Sequence, residues 1–129
     1  MKINENIQVG ESNITFKDLA CNIITGQSVK AGYKVDGKEV YVKRIGLGTL
    51  NAGEKIIAHG LTNFIPIKFE GIAYSANLEN ILTLPFPTPY QNQVDYDIQV
   101  SLTATTIYIL CYNDNSDKVG YLDIYYVNK

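Results

Sequence analysis

The chain has no tryptophan, one histidine and two cysteines among its 129 residues, and each shortage closes off a kind of chemistry. Two cysteines, Cys21 and Cys111, are too few for a disulfide framework, and neither stands in a CxxC spacing. Cys111 lies in the apolar run IYILCY, where a buried free thiol is the simplest expectation and a Cys21–Cys111 bridge the lesser one. One imidazole and two distant thiols cannot complete a four-ligand zinc site without carboxylates, so no metal or cofactor is expected. A catalytic triad would have to be built on His59 alone, and no GxSxG elbow presents a nucleophile. His59 stands in IIAHGL beside Gly60, which suits turn formation or packing, and no enzymatic activity is expected.

Basic blocks are missing as well. With a net charge of -2 and scattered lysines, nothing here would neutralise a phosphate backbone, which excludes a nucleic-acid partner. No stretch approaches about 18 unbroken apolar residues, so no membrane insertion is expected. The opening MKINENIQVG lacks the apolar core of a secretory signal, and the sequon Asn13-Ile14-Thr15 is then read as fortuitous.

What is present describes one globular domain: hydrophobic residues make up 46% and charged residues 19%. A chain of this size buries roughly two-thirds of its unfolded surface and needs no staples. The ten tyrosines suit strands and their exposed rims. Asp36-Gly37 in VDGKEVYVKRI predicts a type I′ hairpin turn, because both central positions of that turn take positive φ. After it, Val40, Val42 and Arg44 share one face, and Glu39, Tyr41, Lys43 and Ile45 the other. Further strands are predicted at Glu54 to Ala58, at Phe64 to Tyr74 with an edge or bulge at Pro66, and at Asn80 to Leu84. Val94, Tyr96, Ile98, Val100 and Leu102 define a face of the next. Thr105 to Tyr112, apolar on both faces, is expected to be central or at an interface. In the last strand, Tyr121, Asp123, Tyr125 and Val127 oppose Leu122, Ile124 and Tyr126. The only helical signal is a weak capping box, Thr15 with Asp18, followed by Phe16, Leu19, Ala20, Ile23 and Ile24 and a stop at Gly26. Its stripe would be covered by the domain or by copies of itself. The expected architecture is all-β, a sandwich or jelly roll of about eight strands over residues 32–129, preceded by an arm over residues 1–31.

Three segments invite a functional reading. In LTLPFPTPY the alternate prolines preclude a central ladder and leave a stiff extended surface segment that projects Phe86 and Tyr90. That segment either contacts a ligand or subunit or caps one end of the β domain. In YNDNSDKVGY, Asn113, Asn115 and Asp117 echo a calcium loop. Lys118 replaces the required glycine and Ile124 the required glutamate, so the segment reads as a polar hairpin loop between the last two strands. Asp95 and Asp97 share a strand face that looks exposed, which speaks against their use as a hydrolytic pair.

Several segments together resemble a known family: Ile24-Thr25-Gly26-Gln27, Val35 to Arg44, Ile57-Ala58-His59-Gly60-Leu61, Phe69-Glu70-Gly71-Ile72-Ala73, Leu84-Pro85-Phe86-Pro87 and Leu122-Asp123-Ile124-Tyr125-Tyr126. In this order they resemble the C-terminal domains of tail fibre and receptor-binding proteins of tailed bacteriophages and prophages. The resemblance implies a β-rich, non-catalytic homotrimer in the virion tail. Made in the bacterial host's cytoplasm and released by lysis, it would pair with other tail proteins and bind bacterial surface polysaccharide or teichoic acid. Family members often carry a fibrous shaft before this domain, whereas only the short arm from Met1 to Ala31 precedes it here. The candidate contacts are Tyr74, Phe86, Tyr90, Tyr112, Asn113, Asp114 and Asn115, with rings for sugar faces and polar groups for hydroxyls. The competing expectation is a structural virion component, such as a tail-assembly or decoration protein with no ligand. A cell-wall hydrolase is the third.

Overall fold

A computed structural model describes residues 6–9, 12–15, 22–85 and 98–129, the first two segments as backbone only. Among the described residues, ten strands run in the order β1 Asn6–Val9, β2 Ser12–Thr15, β3 Ser28–Val35, β4 Lys38–Leu50, β5 Gly53–Ala58, β6 Phe64–Ser75, β7 Ile81–Leu84, β8 Ile98–Leu102, β9 Thr106–Cys111 and β10 Asn115–Asn128. Strands β1 and β2 form a hairpin of their own. The other eight form two antiparallel sheets, ordered β3-β4-β10-β6-β7 and β5-β9-β8, as the sandwich expectation required.

Thr15 closes β2, and Ile23 and Ile24 are irregular. Phe16, Leu19 and Ala20, the rest of the expected helical stripe, lie outside the described residues, as do Cys21, Phe86, Tyr90, Val94, Asp95, Tyr96 and Asp97. Strand β3 begins at Ser28, a few residues before the expected limit of the β domain at residue 32.

The opening hairpin forms as its turn chemistry demands. Val35 pairs with Lys38 across Asp36 (φ 50°) and Gly37 (φ 77°), so both corner residues take the positive φ of a type I′ turn. Along β4, Ile45, Leu47 and Leu50 enter the core between the sheets, with Tyr41 packed against it. Val40 and Val42 are fully buried yet lie on the opposite face. The step from Ile45 to Leu50 breaks period two because Leu47 is an extra residue: Gly46 pairs with Tyr121 and Gly48 with Gly120. The predicted irregularity at Pro66 is likewise a bulge, since Pro66 faces Tyr126 while Lys68 faces Tyr125.

The core is completed by Ile98 from β8, Ile107, Ile109 and Cys111 from the central strand β9, and Leu122, Ile124 and Tyr126 from β10. Cys111 is a buried free thiol, and burial pushes its pKa up. Tyr126 extends into an aromatic chain, stacked on Tyr41 at 5.8 Å and edge-on to Phe64 at 5.9 Å. Phe64 in turn meets the His59 ring at 5.2 Å.

His59 is 1% exposed and fixes the loop after β5 to the turn before β9. Its Nδ1 accepts from the Leu61 amide (3.1 Å), so Nε2 carries the proton and donates to the Thr103 carbonyl at 3.0 Å. Its own carbonyl accepts from Lys43 Nζ at 2.7 Å. Lys55 similarly donates to the carbonyls of Leu47 and Thr49. These two lysines pin β4 to β5 and to the loop after it.

One expectation is corrected. The polar segment after β9 is not a hairpin loop between ladder partners. β9 pairs with β5 and β8, β10 with β4 and β6, so Tyr112–Asp114 carries the chain from one sheet to the other. Much of the segment read as loop, from Asn115 onward, is already strand. Sequence alternation identifies strands but not their ladder partners, which depend on how the two sheets share the core.

Candidate functional site

Strand β10 is central in the five-stranded sheet, and its outward residues align with those of its neighbours. Asp123 faces Arg44 on β4 and Glu70 on β6; Tyr121 faces Ile72; Tyr125 faces Val42 and Lys68; Val119 faces Tyr74. Residues directly opposed in an antiparallel ladder point to the same side. The outer face of this sheet therefore gathers three tyrosines, two carboxylates, an arginine and a lysine.

Arg44 organises the middle of that face. Its Nε donates to Asp123 Oδ1 at 2.8 Å and its Nη2 to Oδ2 at 2.9 Å, a two-pronged fork. The guanidinium also lies 3.7 Å from the Tyr121 ring centroid. Hydrogen bonding to Asp123 holds Arg44 protonated above its ordinary range, against the smaller effect of partial burial. The side chains are 27% and 8% exposed, so the pair is shielded enough to hold firmly. Lys68 lies over the Tyr125 ring at 4.5 Å and meets Glu70 at 3.7 Å.

On the far side of β10 from Arg44, a concavity of about 380 Å³ is lined by Glu70, Gly71, Ile72, Thr83, Leu84, Tyr121 and Asp123. Tyr121 thus stands between Arg44 and this hollow. Gly71 is required by close approach: a Cβ there would overlap the Tyr121 carbonyl oxygen. The hollow offers an aromatic wall, an apolar floor at Ile72, a hydroxyl and two carboxylates. That combination is of the kind that suits a polyhydroxylated molecule, which has apolar and polar sides of its own.

Of the expected contact residues, Tyr74 stands on this same face, between Val119 and Ile81. Tyr112, Asn113, Asp114 and Asn115 lie instead where the chain crosses between sheets. There Asn113 Oδ1 accepts from the Asp114 amide and Asn115 Nδ2 donates to the Asn113 carbonyl. Asp114 takes both the amide and the hydroxyl of Ser116, while Lys118 Nζ sits among Asn115 Oδ1 and both Asp117 oxygens. The loop's polar groups thus largely satisfy one another. Among the described residues no group of three or more His, Cys, Asp or Glu is placed to hold a metal ion.

Arg44, Glu70, Ile72, Thr83 and Tyr121 were not singled out from the sequence. The alternation of Tyr121, Asp123 and Tyr125 put those three on one face. Only the ladder register brought Arg44 from 79 positions away onto Asp123.

No family model matches the chain, and no curated protein or solved structure is significantly similar to it.

Proposed function

We propose that this chain is a host-recognition domain of a bacteriophage tail that holds bacterial surface carbohydrate without cleaving it. One observation carries the binding half of this reading: the fixed Tyr121 ring beside Thr83, Glu70 and Asp123 around an open hollow. Its volume, about 380 Å³, falls in the range of small-ligand sites, roughly 300–1,000 Å³. The tail assignment, with its homotrimer and partner tail proteins, draws on the resemblance of the six segments quoted above. Binding without hydrolysis fits the two carboxylates. Both Asp123 oxygens are engaged by Arg44, and Glu70 is 59% exposed beside Lys68, so neither stands in the apolar enclosure that suits a general acid.

The test is adhesion of the purified chain to host envelope and to a glycan array, with competition against phage adsorption. Binding that falls in Tyr121→Ala is expected. A folded chain that neither adheres nor competes overturns the reading in favour of a structural virion component. That alternative has its own support in Ile56, 65% exposed on the outside of the three-stranded sheet, as a protein contact would require. Release of reducing ends from envelope would point to a hydrolase.

A further inference from the structure

The hollow beside Tyr121 is lopsided in charge. Glu70 and Asp123 line it, and among the described residues no lysine or arginine does. These two carboxylates are directly opposed across the β10–β6 ladder, an arrangement in which like charges repel. The cations that answer them come from outside the hollow. Arg44 grips Asp123 from the β4 side, and Lys68, half-exposed, reaches Glu70 only at 3.7 Å. A solvent-exposed pair of that kind is weak and exchanges readily with a better-placed cation. The guanidinium is committed to Asp123 and to the Tyr121 ring, so it is not turned toward an incoming anion.

Resting on the carbohydrate reading above, we infer that the hollow selects saccharides bearing a protonated amine, that is, unacetylated amino sugars, and rejects uronates and phosphorylated glycans. The sugar's apolar face lies on Tyr121, a hydroxyl meets Thr83, and the ammonium sits against Glu70, relieving the repulsion across the ladder. An anionic sugar in the same place would confront both carboxylates, while Arg44 and Lys68 stand outside the hollow and are already engaged by them.

Calorimetry on the full chain at mildly acidic pH tests this with three probes of equal length: a glucosamine oligomer, its N-acetylated counterpart and an oligogalacturonate. The amine form is expected to bind on the order of tenfold more tightly than the acetylated form, and the uronate not detectably. Added salt should narrow that preference, and so should Glu70→Gln, whose exposed side chain leaves folding intact. Equal or tighter binding of the acetylated or uronate oligomer overturns the charge selection and leaves carbohydrate binding standing. Failure of all three to bind also overturns it. The carbohydrate reading falls with it only if adhesion to host envelope is lost too.

Discussion

On the outside of the five-stranded sheet, Arg44, Asp123 and Tyr121 are locked to one another by a fork and a stacked ring. On the outside of the three-stranded sheet, Ile56 faces Tyr108, which faces Ser101, and Glu54 faces Leu110, which faces Gln99. Both faces arise from the same two-residue rhythm. The first is concave, charged and held by cross-strand contacts; the second carries Ile56 at 65% exposure, with Glu54 its only charge among those residues. The difference separates two uses of a sheet surface. Fixed polar groups around a hollow suit a small polar ligand, whereas an exposed aliphatic side chain such as Ile56 suits contact with another protein.

The largest effect should come from Gly71→Ala. The added methyl overlaps a backbone carbonyl that cannot yield, so a loss of roughly 3 kcal/mol is expected in thermal unfolding, together with loss of the hollow. A stable G71A chain would mean that β6 and β10 lie further apart than described. Asp123→Ala comes next, at about 2 kcal/mol, because it strands a partly buried guanidinium. Replacing both partners, Arg44→Met with Asp123→Leu, should recover most of that stability and none of the binding. On the other face, Ile56→Ser should change stability by less than about 0.5 kcal/mol. If that surface joins copies of the chain, the mass measured by light scattering falls with it; unchanged mass removes Ile56 from any such interface.

Alkaline titration should divide the faces more gently. Hydrogen bonding to Glu54 raises the Tyr108 pKa from its ordinary 10.0, and burial raises that of Cys111 from 9.0. For both groups the folded state favours the protonated form. Their stabilising contribution is therefore full below the unfolded value and is lost as pH rises through the folded one. Arg44, raised still further, keeps its charge throughout that window. Hydrogen exchange should show β5, β8 and β9 loosening before β4, β6 and β10.

Much of this architecture was legible in the chain. Asp36-Gly37 announced its hairpin because backbone chirality leaves few residues for two consecutive positive φ angles. Thr105 to Tyr112 read as central or at an interface; β9 is flanked by β5 and β8, and its second apolar stripe, Tyr108 and Leu110, lies on the outer face of that sheet. Pro66 marked an edge or a bulge because it has no amide to donate, and the structure resolves the choice as a bulge. The site was much less legible. Tyr74, expected as a contact, stands on the same face as Tyr121, but Arg44 looked like one more residue of an alternating strand, and Glu70 like a surface charge. Their convergence on Asp123 depends on which strands flank β10 and in what register, information spread over three segments. The asparagine-rich crossing drew attention by composition alone, and its side chains prove to be engaged mainly with one another.

The stacking of Arg44 on Tyr121 bears on how tightly anything can be held there. A free tyrosine ring rotates and must be stilled when a guest arrives, at an entropic cost of about 0.5–1.5 kcal/mol. Here folding has already stilled it, with a neighbour whose own head is clamped at two points. Under the proposed carbohydrate reading, the visitor meets a standing wall, and that cost does not recur on binding.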